Sequence, residues 1–493
     1  MSNKVSDYLN KIDDVIQKGQ YKDNWESLHA YPVPKWYRNA KFGIFIHWGV
    51  YSVPAFGNEW YPRNMYIPGT KEYEHHIKTY GLHKDFSYAD FIPMFTAEHF
   101  DADEWMKLIK ASGAKYVMPV AEHHDGFQMY DSALSDWNAA KMGPKRDILG
   151  ELKVSAEKED LVFCASSHRA ENYWFYGGAR HFDSGLQDME FKEPFGYAHP
   201  DYANEEVVNT LSQDIYSVPA SKEHLENWLA RTCELVDKYK PKIVWFDWWI
   251  QNISFKPYLK KFAAYYYNRA IEWGEEVAIN YKFEAYAYQT AVFDIERGQL
   301  NNIRPRLWQT DTAVAKNSWG YTENNDFKNP VDIICDMIDI VSKNGCMLLN
   351  IGPRSDGTIT GEDKEVLLSI GKWLSVNGES IYDTTFWQTY GEGPTEVKEG
   401  AFTDVDRAPF TSGDIRFTYK APYLYTNVLS WPKNGEVTIN SLGEEAFKGA
   451  INKIRILGYD VPVTFTRRKE VLSVKVQDNI ATEYPVCIKI LID

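Results

Sequence analysis

A lone carboxylate closes the run Lys242-Ile243-Val244-Trp245-Phe246-Asp247-Trp248-Trp249, with aromatic rings on both sides of it. Taking an unpaired charge out of water among apolar rings is costly, so a chain that keeps one there has a use for it. Asp247 reads either as a cap for the element that follows or as a catalytic acid. The ring density favours the second, because flat apolar faces beside polar groups suit the C–H surfaces and hydroxyls of a sugar. An aromatic content of 15%, with 17 Trp and 33 Tyr, points the same way.

Other chemistry-bearing residues also close short apolar runs: His47-Trp48-Gly49, Glu122-His123-His124-Asp125-Gly126, Ser166-Ser167-His168-Arg169 and Asp294-Ile295-Glu296-Arg297-Gly298. Two chemistries could use such a set. A metal hydrolase would take the histidines and acids as ligands, but adjacent His123 and His124 should leave a strand on opposite sides unless the backbone has already turned. A glycosidase needs two carboxylates flanking the sugar, which Asp247 and Glu296 on different strands supply, with neutral histidines for the hydroxyls. No metal and no cofactor are expected. Arg297 would pull the neighbouring Glu296 pKa down, the wrong way for an acid, unless it pairs elsewhere. His47 alone would read as a satisfied core histidine, and Trp248 and Trp249 as wall or core. His168 and Arg169 could equally order a loop or serve the site, and Glu122 and Asp125 are expected to hold histidine tautomers.

Positioning these groups on one rim takes a parallel barrel, whose strands' C-terminal ends carry the chemistry. Apolar runs at Phe42–Trp48, Tyr116–Ala121, Leu161–Ala165, Ile243–Phe246, Val277–Asn280, Val292–Ile295, Leu307–Thr310 and Met347–Ile351 predict eight strands, alternating with amphipathic helices such as Ser221–Tyr239 and Phe100–Ala114. Beyond Trp373 helical periodicity stops, and short β-type runs between Gly, Pro, Asn and Asp predict a small antiparallel domain. The expected class is α/β: an N-terminal helical extension over 1–30, a (β/α)8-like barrel over 31–378 and a C-terminal β-sandwich over 379–493. The stretch Glu171–Ser217 lacks periodicity and is expected to loop over the catalytic face.

A chain of 493 residues with net charge −15 would repel nucleic acid and anionic membrane, which leaves a neutral glycan as the expected partner. Five scattered cysteines form no C-x-x-C pair, and the opening residues form no apolar signal segment, so the expected location is the cytoplasm. Oligomeric state stays open, a homo-oligomer included.

The ordered set Trp36-Tyr37-Arg38-Asn39-Ala40-Lys41-Phe42-Gly43-Ile44-Phe45-Ile46-His47-Trp48-Gly49, Glu59-Trp60-Tyr61, Gly113-Ala114-Lys115-Tyr116-Val117, His123-His124-Asp125-Gly126-Phe127, Trp245-Phe246-Asp247, Ser342-Lys343-Asn344-Gly345 and Leu348-Leu349-Asn350-Ile351-Gly352-Pro353 resembles the α-L-fucosidases of glycoside hydrolase family 29. The resemblance spans about residues 30 to 380. It implies a retaining exo-hydrolase that removes terminal α-L-fucose through a covalent fucosyl-enzyme, on a barrel followed by a β-sandwich. It further implies Asp247 as nucleophile, His47, Glu59, Trp60, His123 and His124 on the sugar hydroxyls, and Phe45, Trp245 and Trp319 around the C6 methyl. An extra hydroxyl in that apolar pocket would be desolvated without a partner, which disfavours galactose. Many family members carry a Glu where this chain has Gln309, which cannot act as an acid. That departure makes Glu296 the expected acid/base, with Glu59 as the alternative and Asp311 and Glu284 behind. Lys282 stands where the family often has Arg, keeping the charge but losing the planar fork. The alternatives are a catalytically silent fucose-binding protein, or a glycosidase for a related 6-deoxy or 6-substituted sugar.

Overall fold

Eight staves of parallel sheet close on themselves in the computed structural model, which describes residues 3–184, 219–405, 407–477 and 480–493. In chain order they are β1 (Phe42–Ile46), β2 (Tyr116–Glu122), a stave in two pieces, β3 (Val162–Phe163) and β4 (Ala165–Ser167), then β5 (Ile243–Phe246), β6 (Ala278–Tyr281), β7 (Val292–Glu296), β8 (Trp308–Ala313) and β9 (Gly345–Ile351). Each pairs in parallel with its neighbour, and β1 closes the ring by pairing with both β9 and β2.

Alternation along these strands sorts side chains between two cores. Phe45, Tyr116, Met118, Val120, Ile243, Trp245 and Leu348 fill the barrel interior. Val117, Leu349, Val244 and Ile279 meet the surrounding helices instead. The helix expected from Ser221 runs over Lys222–Tyr239, with the Ser221 side chain accepting the His224 N–H as its cap. An N-terminal helix, Asn3–Lys18, lays Ile12 and Ile16 against this helix and the next one, Lys256–Trp273. Of the stretch expected as a long loop, Asn172–Phe175 and Gly177–Arg180 form short helical turns, and 185–218 lie outside the described residues.

The C-terminal region folds as two antiparallel sheets around one apolar core that includes Trp387, Phe417, Val437, Leu472 and Ile488. One holds β10 (Thr385–Glu392), β11 (Ile415–Lys420), β12 (Tyr423–Val428), β17 (Val486–Ile492) and β14 (Ile451–Ile456); the other holds β13 (Glu436–Ile439), β16 (Leu472–Val476) and β15 (Val463–Arg467).

A buried charge cluster joins this region to the barrel. Asp339, on the helix Pro330–Ser342, accepts from Lys343 Nζ at 2.5 Å and from Arg416 Nε of β11, and all three side chains are buried. Removing the acid takes from two buried cations the carboxylate that both of them contact. Asp339→Ala is therefore expected to lower stability by about 3–5 kcal/mol, read as a fall in the urea midpoint at unchanged slope. A loss below about 1 kcal/mol would show that the cluster does not secure the junction.

Candidate active site

Residue parity aims the chemistry inward. On β5, Ile243 and Trp245 face the barrel interior, so Asp247, one step past the strand, continues on the inner side. Its Oδ2 accepts the His168 Nδ1–H at 2.9 Å and lies 3.4 Å from His124 Nε2, while its Oδ1 accepts the Trp248 backbone N–H at 2.8 Å. Burial alone would push this carboxyl up. The hydrogen bond from His168, followed by the charges of Lys282 and His124, outweighs burial and holds Asp247 below the ordinary carboxylate range. The result is an ionised, desolvated carboxylate facing a cavity.

The four histidines around it divide by charge. His124 Nδ1 lies 2.6 Å from Glu171 Oε2, and although burial pulls its pKa down, the charges of Glu171 and Asp247 raise it to about 9. Burial pushes His47 and His123 well down, and His168 down to about 4, so these three are neutral near pH 7. His47 donates Nδ1–H to Asn350 Oδ1 at 2.7 Å, which leaves Nε2 as an acceptor. His168 Nε2 sits 3.0 Å from Ser166 Oγ. His123 Nδ1 is buried without a hydrogen-bond partner among the described residues, and a sugar hydroxyl would supply one.

Two sequence expectations need correction here. His123 and His124 do not diverge: their ring centroids are 4.3 Å apart, because the register slips between Val120 and Glu122 and the chain turns immediately beyond β2. The same slip turns Glu122 toward Arg169 and Arg231 at 2.7 and 3.0 Å, and Asp125 accepts from Tyr88 Oη, so neither acid orients an active-site histidine. Asn350, Glu171 and Ser166 do that. The convergence also brings ligand atoms of His47, His123 and His168, and of His124, His168 and Asp247, within 4.8 Å of one another. That spacing could hold a metal ion, but His47 Nδ1 and both nitrogens of His168 already have hydrogen-bond partners.

Across the cavity, Lys282 just past β6 is the hub of a second charge group. Its Nζ donates to Glu296 Oε2 at 2.9 Å and to both oxygens of Asp311 at 3.2 Å, and lies 3.7 Å from Asp294 Oδ1. Glu296 and Asp311 are register partners on β7 and β8, one layer above the pair Asp294 and Gln309. Burial raises Glu296 to about 7, with the charges of Asp247 and Asp311 adding to burial and Lys282 opposing it. Arg297 does not interfere, since its guanidinium bonds Asp404 and the carbonyls of Ala315 and Lys316. Gln309 lies inside the barrel, accepting from Tyr37 and Tyr116 Oη at 2.7 and 2.9 Å and donating to Asp294 at 2.7 Å. It is part of the barrel packing and stands away from the reacting rim. Glu284 is exposed and does not line the cavity.

The cavity, about 460 Å³, is lined by Asp247, Glu296, the four histidines, Glu59, Trp60, Trp245 and Trp319 among others. That volume suits a ligand of sugar size. Phe45 packs edge-on to Trp245 at 5.1 Å, and Trp319 stacks on His47 at 5.2 Å and lies 6.4 Å from Phe45. These rings form one apolar wall. Glu59 Oε2 accepts from Ser318 Oγ and the Trp319 N–H at 3.1 and 2.9 Å, which couples the loop holding Trp60 to the loop holding Trp319. Trp60 meets the His124 ring edge-on at 5.4 Å. Trp248 lines the cavity, whereas Trp249 is core, donating Nε1–H to Tyr173 Oη.

A family model described as α-L-fucosidase matches residues 9–379, and one described as α-L-fucosidase C-terminal domain matches residues 408–490. The chain belongs to the α-L-fucosidase family. The plasma α-L-fucosidase of Rattus norvegicus is 32% identical over 489 residues, covering 91% of this chain and 88% of its own. The tissue α-L-fucosidase of Homo sapiens is 31% identical over 448 residues, with 89% and 84% covered. Among solved structures, the α-fucosidase of Thermotoga maritima in complex with a mechanism-based inhibitor superposes with a TM-score of 0.74 at 29% identity, over 96% of this chain and all of that one. The same organism's enzyme in complex with fucose gives 0.72 at 28% identity, over 96% of this chain and 100% of that chain. The chain is therefore a glycoside hydrolase acting on α-L-fucosides, with a closed barrel and C-terminal antiparallel sheets.

The cavity gathers every residue expected from the sequence on the substrate side except Phe45, which backs Trp245, and Lys282, which reaches in through Glu296. His168 and Glu171, bound to Asp247 and His124, were not expected as fixed parts of the site; Ser166 at even parity with His168 was the available signal. The charge states set a pH profile. On an aryl α-L-fucoside, kcat/KM is expected to hold through the acid range in which ordinary carboxylates take up protons, because Asp247 stays ionised there, and to fall above about 7 as Glu296 loses its proton. Glu296→Gln should abolish the alkaline limb near 7; an unchanged limb would assign it to another group.

Proposed function

We propose that this chain removes terminal α-L-fucose from glycans by a retaining double displacement, with Asp247 as nucleophile and Glu296 as acid/base. The observation that carries this reading is the opposed charge state of two carboxyls on one cavity: Asp247 is held ionised by His168 and His124, and Glu296 is kept protonated toward neutral pH by burial. In the first step Asp247 attacks the anomeric carbon as the glycosidic bond breaks and Glu296 gives its proton to the departing oxygen. In the second, water attacks the same carbon, Glu296 takes the water's proton, and the Asp247 carboxylate leaves. His47, His123, His124, Glu59 and Trp60 surround the ring hydroxyls, and Phe45, Trp245 and Trp319 form the wall for the C6 methyl. The fucose complex of the Thermotoga maritima relative supports the choice of sugar. Glu59 is the weaker acid candidate, because two donors converge on its Oε2 as on a carboxylate that receives hydroxyls.

Azide separates the two roles, since it attacks without a general base. Asp247→Ala is expected to lose several orders of magnitude of activity on an aryl α-L-fucoside and to release β-fucosyl azide when azide is added. Glu296→Ala, rescued in its second step, should release α-fucosyl azide. A Glu296 variant with wild-type rates on both activated and natural leaving groups would remove it from this role.

A further inference from the structure

Two phenylalanines stand exposed at the mouth of the cavity, where the described mechanism has no use for them. Phe402 is 60% exposed and Phe283 is 49% exposed, and both line the same cavity as Asp247 and Glu296. Each is tied to the proton donor, Phe283 through the side chain of its neighbour and Phe402 through the backbone. Phe283 follows Lys282, whose Nζ holds Glu296 Oε2, and the Phe402 N–H donates to the Glu296 carbonyl at 2.9 Å.

Phe402 arrives on a strap from beyond the barrel. Gln299 and Gly400 form an antiparallel bridge, and the Thr403 and Asp404 N–H groups bond the Arg297 carbonyl at 2.8 and 3.0 Å. The strap runs so close that a Cβ on Gly298 would lie 1.8 Å from the Gly400 carbonyl oxygen. Asp404 fastens it by accepting from Arg297 Nε at 3.2 Å, Thr312 Oγ1 at 2.7 Å and Lys328 Nζ. Phe283, Arg297 and Phe402 all hold positive φ, at 53°, 45° and 56°. Side chains with a Cβ seldom adopt that backbone, and its concentration around one carboxyl marks a part of the chain held for use. Two large apolar rings left in water beside an acid are a surface for a ligand.

We propose that Phe283 and Phe402 form the platform for the leaving group, a pyranose on the reducing side of the fucose, stacking on its C–H face as the glycosidic oxygen takes the Glu296 proton. The proposal rests on Glu296 as acid/base, because the leaving group must lie against the residue that protonates its oxygen. Bare rings recognise a sugar face and carry no hydrogen bond to any one hydroxyl, so the platform favours a pyranose over a small alkyl group and tolerates several linkages.

The test compares leaving groups. Phe402→Ala, Phe283→Ala and Phe402→Tyr are assayed on α-L-fucosyl fluoride, whose leaving group touches no platform. They are also assayed on whichever 1,2-, 1,3-, 1,4- or 1,6-linked fucosyl disaccharide the wild type cleaves best. Each Ala variant is expected to lose about tenfold in kcat/KM on the disaccharide, the size of one aromatic contact, and less than about twofold on the fluoride. Phe402→Tyr, which keeps the ring, should restore the disaccharide rate. Equal losses on both substrates, no loss on either, or a wild type that splits the fluoride and no disaccharide would each overturn the platform. Glu296→Gln, run on the same pair, reads the acid separately: loss confined to the disaccharide upholds it, and an unchanged disaccharide rate removes it whatever the phenylalanine variants show.

Discussion

An ionised carboxylate cannot sit bare among tryptophans, and the way Asp247 is compensated organises the rest of the site. Isolated, it would cost several kcal/mol to desolvate. Here it accepts from His168 and the Trp248 N–H, with the His124 imidazolium 3.4 Å away and Lys282 adding its charge. Each of those groups is held in turn. Ser166 holds His168, Glu171 holds His124, and Asp311 with Glu296 holds Lys282. These supports come from β4, the turns after it, β6, β7 and β8, so closing the barrel and compensating the charge are one requirement.

Lys282 gives the second half of the chemistry. Carboxyls this close would repel one another, and a single buried ammonium among Asp294, Glu296 and Asp311 lets the group hold fewer charges than it has carboxyls. Glu296, partly open to the cavity, is the member left able to exchange its proton near pH 7. An arginine there would add a planar fork; the lysine serves three carboxylates as a compact point charge. Arg297, adjacent in sequence, is removed from the balance by its left-handed backbone and its partner Asp404.

The barrel was legible because its strands are buried on both faces and read as apolar runs with chemistry at their ends. All eight staves fall within a few residues of the expected spans. The strands β14 and β15 were harder to read: Ile451–Ile456 and Val463–Arg467 leave most side chains in water, and in Ile451–Ile456 the apolar residues do not alternate regularly. The candidate site was readable where a residue type is itself chemical, as with Asp247, Glu296 and His47. It was unreadable where the role comes from a distant partner. Nothing local marks Asn350 as the residue that fixes His47, or Phe402, 155 positions beyond Asp247, as part of the cavity mouth. The register slip at Val120–Glu122 shows the same limit, since strict alternation put His123 and His124 on opposite sides and one irregular residue brought them together.

A covalent bond between fucose and Asp247 is the most direct consequence of this arrangement. The protein can be incubated with 2-deoxy-2-fluoro-α-L-fucosyl fluoride, whose 2-fluorine slows both displacements while the anomeric fluoride speeds the first, so that the intermediate accumulates, then digested and mapped by mass spectrometry. The expected result is one deoxyfluorofucosyl group on the peptide carrying Asp247, and none on Asp247→Ala. Stable labelling of Glu59 or Glu296 instead, or turnover of the reagent by Asp247→Ala at the wild-type rate, would contradict Asp247 as the nucleophile.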